Sequence, residues 1–70
     1  MFFEQRLIKL GLTKREREVV YLLYQGLEDT EISERLYISR YTVGNHLKSI
    51  FNKLGVRNRT SVIHRVTSLE

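Results

Sequence analysis

Cysteine, proline and tryptophan are all missing from these 70 residues, and glycine occurs only four times. Without cysteine there is no disulfide, thiolate zinc site or iron–sulfur cluster. Without proline, and with so little glycine, long stretches of backbone are free to be helical. No segment approaches the roughly 20 consecutive apolar residues of a membrane span. No apolar signal-peptide stretch follows the N-terminus, so the cytoplasm is the expected compartment. Asn58-Arg59-Thr60 matches a glycosylation sequon, which carries no weight without an export signal. A chain this short buries little surface, so it relies on regular helix packing or a partner instead of cross-links. Its hydrophobic fraction of 41% suffices for one core.

Acid is scarce in one half of the chain. Met1 to Arg35 holds six Lys/Arg against seven Asp/Glu, a balance of −1. Leu36 to Glu70 holds six Lys/Arg against Glu70 alone, a balance of +5. A half-chain with no acid before its last residue suits a polyanion, and with a pI near 9.8 nucleic acid leads the partner classes. Scattered surface cations raise the pI of ordinary domains too, so charge needs support from pattern.

Phe3, Leu7 and Leu10 have helical spacing, and the opening Met1–Gly11 reads as a partly helical N-terminal arm lying against the core. The rest, 12–70, reads as one all-α unit. Thr13-Lys14-Arg15-Glu16 is a capping box, Val19, Leu22 and Leu23 share a face, and Gly26 is a stop, giving a helix over Lys14–Gln25. A shorter helix is expected over Asp29–Tyr37, with Ile32 and Leu36 facing inward. After a turn of about three residues, Ser39 caps a helix over Arg40–Leu54, which Gly55 ends. Asn58 caps the last, Arg59–Leu69, with Val62, Val66 and Leu69 on one stripe.

The helix over Arg40–Leu54 has two distinct sides. Val43, Leu47, Ile50 and Leu54 stay within about 40° of one line at 100° per residue. Opposite them lie Tyr41, Asn45, Lys48, Ser49 and Asn52, with Thr42, His46 and Lys53 on a flank and no acid anywhere. Asn can bond adenine through two groups at once, and Lys can donate to guanine or a phosphate. Any amphipathic helix shows a polar face; context separates this one. A short helix, a tight turn and a longer basic helix form a helix-turn-helix, whose second helix enters the major groove.

In LTKREREVVYLLYQGL (Leu12–Leu27), EISERLYIS (Glu31–Ser39) and TVGNHLKSIFNKLGVRNR (Thr42–Arg59), the chain resembles the LuxR-type (LuxR/FixJ) helix-turn-helix domain of bacterial transcription regulators. The resemblance covers about Leu12 to Val66, and in size the chain is similar to the stand-alone members. It implies a four-helix DNA-binding domain whose third helix recognises DNA and whose last helix dimerises. By position, Gly44, Asn45 and Lys48 are expected to approach bases, and Thr42, His46 and Lys53 the backbone. Lys14, Arg15, Arg57 and Arg59 are expected to add phosphate contacts. Arg40, Tyr41, Ser49 and Asn52 complete the expected DNA surface. Three departures stand out from the family pattern. Gly44 replaces a cation, at roughly 1 kcal/mol of helix propensity relative to alanine. Ser33 replaces a small apolar residue at the helix crossing. Glu28 replaces a Ser/Thr cap, so Asp29 or Thr30 is expected to cap instead.

Other chemistries lack their residues. His46 and His64 have no carboxylate or cysteine at metal spacing, no serine has a base and oxyanion partner, and no glycine-rich phosphate loop occurs. Glu16 and Glu18 read as capping or ion-pair residues, and Tyr21, Tyr24 and Tyr37 as core-edge residues. A chain this short also leaves little room for the 300 Å³ or larger pockets that hold small molecules. No enzyme, metal or cofactor is expected. The last helix is open to two readings: its apolar stripe only closes the core, or Thr60, Ile63, His64 and Thr67 add a dimer contact. The expectation is a sequence-specific, homodimeric transcriptional regulator of double-stranded DNA, associated with the nucleoid, with RNA polymerase as a further partner. Roughly five phosphate contacts per subunit would set its salt dependence. If Met1 is the natural start, control comes from abundance or a partner; if the chain is a fragment, a sensor domain outside it supplies the signal. The alternative is a helix-turn-helix used to bind another regulator, which Gly44 keeps open by weakening the reading helix.

Overall fold

The computed structural model describes residues 2–68, and among them every regular element is an α-helix. In chain order these are α1 (Phe2–Lys9), α2 (Lys14–Tyr24), α3 (Asp29–Leu36), α4 (Arg40–Leu54) and α5 (Arg59–Thr67). Their starts follow side-chain caps. Thr13 Oγ1 accepts from the Glu16 amide at 3.2 Å, Ser39 Oγ from the Thr42 amide at 3.0 Å, and Asn58 Oδ1 from the Ser61 amide at 2.8 Å. Each bond satisfies an amide that the helix leaves without a partner.

At α3 the expected cap moves by one residue. Glu28 itself takes the cap position with extended backbone, and its amide donates to Glu31 Oε1 at 2.8 Å. Neither Asp29 nor Thr30 caps the helix, because Glu31 reaches back from the third helical position. Ser33 is buried at the crossing and donates to the Thr30 carbonyl at 2.7 Å, so its hydroxyl is satisfied locally.

Helix ends differ from expectation by a residue or two. α2 ends at Tyr24 instead of Gln25, and α3 at Leu36 instead of Tyr37. α5 ends at Thr67, and the expected place of Leu69 on its stripe lies outside the described residues. Tyr37 is not a core-edge residue: it is 94% exposed and left-handed, with φ 59°. That turn lets the Ile38 amide reach the Ser33 carbonyl at 3.0 Å and brings Ile38 against the core.

Leu7, Val19, Val20, Ile32, Val43, Ile50, Val62 and Val66 are fully buried, so all five helices contribute to one core. The expected seam of Val43, Leu47, Ile50 and Leu54 is buried along its whole length, whereas Leu36 is only half-buried. α2 packs against each of the other four helices, and α3 and α4 pack on one another. The N-terminal arm is a full helix docked on α2 and α5. Arg17 fixes it, donating to Glu4 Oε2 and to the Leu12 carbonyl, both at 2.8 Å. Among the described residues, no helix is long and apolar enough to cross a membrane.

Candidate nucleic-acid interface

Burying the seam of α4 leaves its other side open. Arg40, Tyr41, Asn45, Lys48 and Asn52 are exposed, with Tyr41 at 78%. Among the described residues, Arg40, Asn45, Lys48 and Asn52 have no side-chain hydrogen bond or ion pair within the protein. These donors and acceptors therefore face solvent without partners. Ser39 at the cap also bonds the Thr42 hydroxyl at 3.0 Å, which orders the first turn of α4. His46 is half-buried beside the seam, and His64 is exposed on α5.

Gly44 interrupts the open face with a notch. A methyl group built there would meet nothing within 4 Å beyond its chain neighbours and the backbone of its own helix, so the tertiary fold does not require glycine. Lys14, at the start of α2, and Arg57, between α4 and α5, are exposed cations without an internal partner among the described residues.

Besides Thr42, four of the expected contact residues already have partners. Arg15 pairs with Glu18 at 3.1 Å along α2, and both remain about 40% exposed. Arg59 pairs with Asp29, joining the starts of α5 and α3. Ser49 and Lys53 both turn to Glu16: Ser49 Oγ donates to Oε2 at 2.5 Å and Lys53 Nζ to Oε1 at 2.8 Å. Lys53 also donates to the Gly11 carbonyl at 3.2 Å. Ser49 thus belongs to the side of α4 that faces α2, not to the open side where the helical wheel had grouped it.

Glu16 is 4% exposed. Burial by itself would raise its carboxyl pKa, but hydrogen bonds from Lys53, Ser49 and the Thr13 amide outweigh that and lower it to about 2. Reading the sequence found the capping bond, with the Thr13 amide donating to Glu16 Oε1 at 2.8 Å. It missed the link to α4. The available signal was the spacing of Ser49 and Lys53, which lie one turn apart beside the Ile50–Leu54 seam.

On α5, Thr60, His64 and Thr67 are exposed and Ile63 is half-buried, lining a shallow groove of about 450 Å³ with Leu23 and Arg59. A second groove, of about 400 Å³, lies where Phe3, Tyr21, Leu22 and Leu36 meet Arg17 and Arg35. The expectation that so short a chain lacks room for such a volume is therefore corrected. Both spaces are open clefts between helix ridges and not enclosed cavities.

Comparison with known proteins fits this geometry. The family model for bacterial regulatory proteins of the luxR family (GerE) matches residues 10–66. The chain belongs to the LuxR family. Over 51 residues it is 53% identical to the transcriptional regulatory protein LnrK of Bacillus subtilis, covering 73% of this chain and 23% of LnrK. Over 52 residues it is 48% identical to the spore germination protein GerE of the same organism, covering 74% of this chain and 70% of GerE. It is 44% identical over 52 residues to the transcriptional regulatory protein DegU of Brevibacillus brevis, covering 74% of this chain and 22% of DegU. The chain thus spans about a quarter of the length of two of these LuxR-family relatives and more than two thirds of the third. No solved structure gives a significant match.

Proposed function

We propose that this chain is a sequence-specific DNA-binding module of a bacterial transcription regulator that inserts α4 into the major groove. The observation that carries this reading is the open face of α4, where Asn45 and Lys48 stand exposed, without acid and without internal partners. A helix with its apolar seam buried against the scaffold and an amide-and-ammonium face free has the form that major-groove reading requires. Asn45 and Lys48 read base edges beside the Gly44 notch, Tyr41 and Asn52 flank them, and Lys14, Arg40 and Arg57 neutralise phosphates. Thr42 and His46 lie close enough to the open face to join the backbone contacts. The family and the relatives' names, all regulators or a germination protein, support the same reading.

Two subunits acting through Thr60, Ile63, His64 and Thr67 on α5 would occupy half-sites about one helical turn apart. Such a regulator works in the cytoplasm on nucleoid DNA, with RNA polymerase as its onward partner. Neither a catalytic step nor a cofactor is part of the proposal.

Selection from a random duplex library tests it. One enriched motif is expected, and Asn45→Ala should flatten preference at one or two positions, by about 1–3 kcal/mol of discrimination. Lys14→Ala should weaken all duplexes alike. Identical binding profiles for the two variants would overturn the assignment of Asn45 to base reading, and absence of any enriched motif would overturn the function.

A further inference from the structure

Adjacent residues of α4 are put to different uses. Lys48 is exposed and unpartnered, whereas Ser49, 100° around the helix, and Lys53, one turn further on, both bond a buried carboxylate. The two oxygens of Glu16 accept from three donors: the Thr13 amide, Ser49 Oγ and Lys53 Nζ. Because Lys53 also donates to the Gly11 carbonyl, the cluster joins the α1–α2 turn, the first turn of α2 and the C-terminal half of α4.

We propose that Glu16 is the positioning residue of the recognition helix, occupying on Ser49 and Lys53 the place a DNA phosphate would take. Those two side chains then hold α4 against the start of α2 and do not contact DNA. The inference rests on α4 being the DNA-reading helix, and it assigns Ser49 and Lys53 a role different from their neighbours. One carboxylate thereby ties the start of α2, which carries Lys14, to the helix that carries the Asn45–Lys48 face.

Two physical reasons favour internal retention over release to DNA. If Lys53 swung out to a phosphate, Glu16 would stay buried without its cation, an arrangement far costlier than losing a surface pair. Lys53 would also give up its bond to the Gly11 carbonyl at 3.2 Å, breaking a second internal contact. A lysine already neutralised inside the protein displaces no counterion from DNA, which makes the salt dependence of binding a direct readout.

The test uses the 70-residue chain with two measurements. In a double-mutant cycle of Glu16→Gln and Lys53→Gln, followed by urea unfolding, the double variant's folded-to-unfolded ratio should exceed the additive expectation by roughly tenfold. Additive behaviour overturns the proposal, whether or not the protein binds DNA. In duplex binding, the slope of log K against log salt should be unchanged in the double variant and shallower by about 0.9 in Lys14→Gln. Impaired folding alone lowers the active fraction and shifts such a plot without changing its slope. A slope shallower by about 0.9 in the double variant would make Lys53 a phosphate ligand and overturn the proposal. A wild-type chain that retains no duplex at low salt would instead refute the DNA-binding reading, and the cycle would still decide whether Glu16 holds Lys53.

Discussion

Four helix ends turn through the left-handed backbone region, and three of them use glycine: Gly11, Gly26 and Gly55. The fourth uses Tyr37, while the remaining glycine, Gly44, lies inside α4. An L-residue at positive φ is strained by the approach of its Cβ to the carbonyl, and glycine inside a helix loses more chain entropy than alanine. Neither choice is repaid by packing, since Tyr37 is almost wholly exposed and Gly44 faces open space. Tyr37→Gly and Gly44→Ala are each expected to raise stability by about 0.5–1 kcal/mol, read as several degrees in thermal unfolding. Gly44→Lys, which fills the notch with the cation the family favours, should tighten duplex binding and steepen its salt slope by about 0.9. A stabilised Gly44→Ala variant with altered site preference would show that the notch itself is read. Tyr37 also shows a limit of legibility. Tyrosine carries no turn signal, and its apolar ring suggests a core edge; what reverses the chain there is the burial of Ile38.

At the scale of elements, the five helices were largely readable because caps and apolar periodicity are local. Thr13, Ser39 and Asn58 mark starts by their own side-chain bonds, and the α4 seam follows from 3.6 residues per turn. The Glu16 cluster was not readable, because its partners lie 33 and 37 residues away on another helix. It has a pH signature. The Glu16 pKa is lowered from its ordinary 4.5 to about 2, so the unfolded chain binds the proton more readily between those values. The associated stability, on the order of 3 kcal/mol, is present above about pH 4.5 and is lost as pH falls through that window toward 2. Urea unfolding at a series of pH values should show this decline in the wild type. Glu16→Gln should remove most of it, and an equally steep decline in that variant would contradict the assignment.

For the whole molecule, the charge asymmetry between chain halves becomes a division of labour. The acids of the first half are spent partly inside: Glu4 docks α1, Glu16 holds α4 and Asp29 pairs with Arg59. Of the cations expected at DNA, Lys14, Arg40, Lys48 and Arg57 remain free among the described residues, and the three assigned to phosphates, Lys14, Arg40 and Arg57, set an expected salt slope of about −2.7 per subunit. Dimerisation through α5 is testable apart from DNA reading. His64→Glu changes an exposed residue, so the monomer fold should persist. Sedimentation on a two-site duplex should then show one subunit bound where the wild type places two. Unchanged stoichiometry would remove α5 as the contact.

The all-helical class, the order of the helices, the caps of α2, α4 and α5, the buried seam of α4 and the basic second half could all be read before any coordinates, because each depends on residues within a turn or two of one another. Which polar side chains stay available could not. Ser49, Lys53, Arg15 and Arg59 look as free as Lys48 and Asn45 on a helical wheel, and packing alone brings carboxylates from α2 and α3 to three of them. A side chain's chemistry is written in its residue type. Its availability depends on the nearest opposite charge, and in a folded chain that charge often lies far away in sequence.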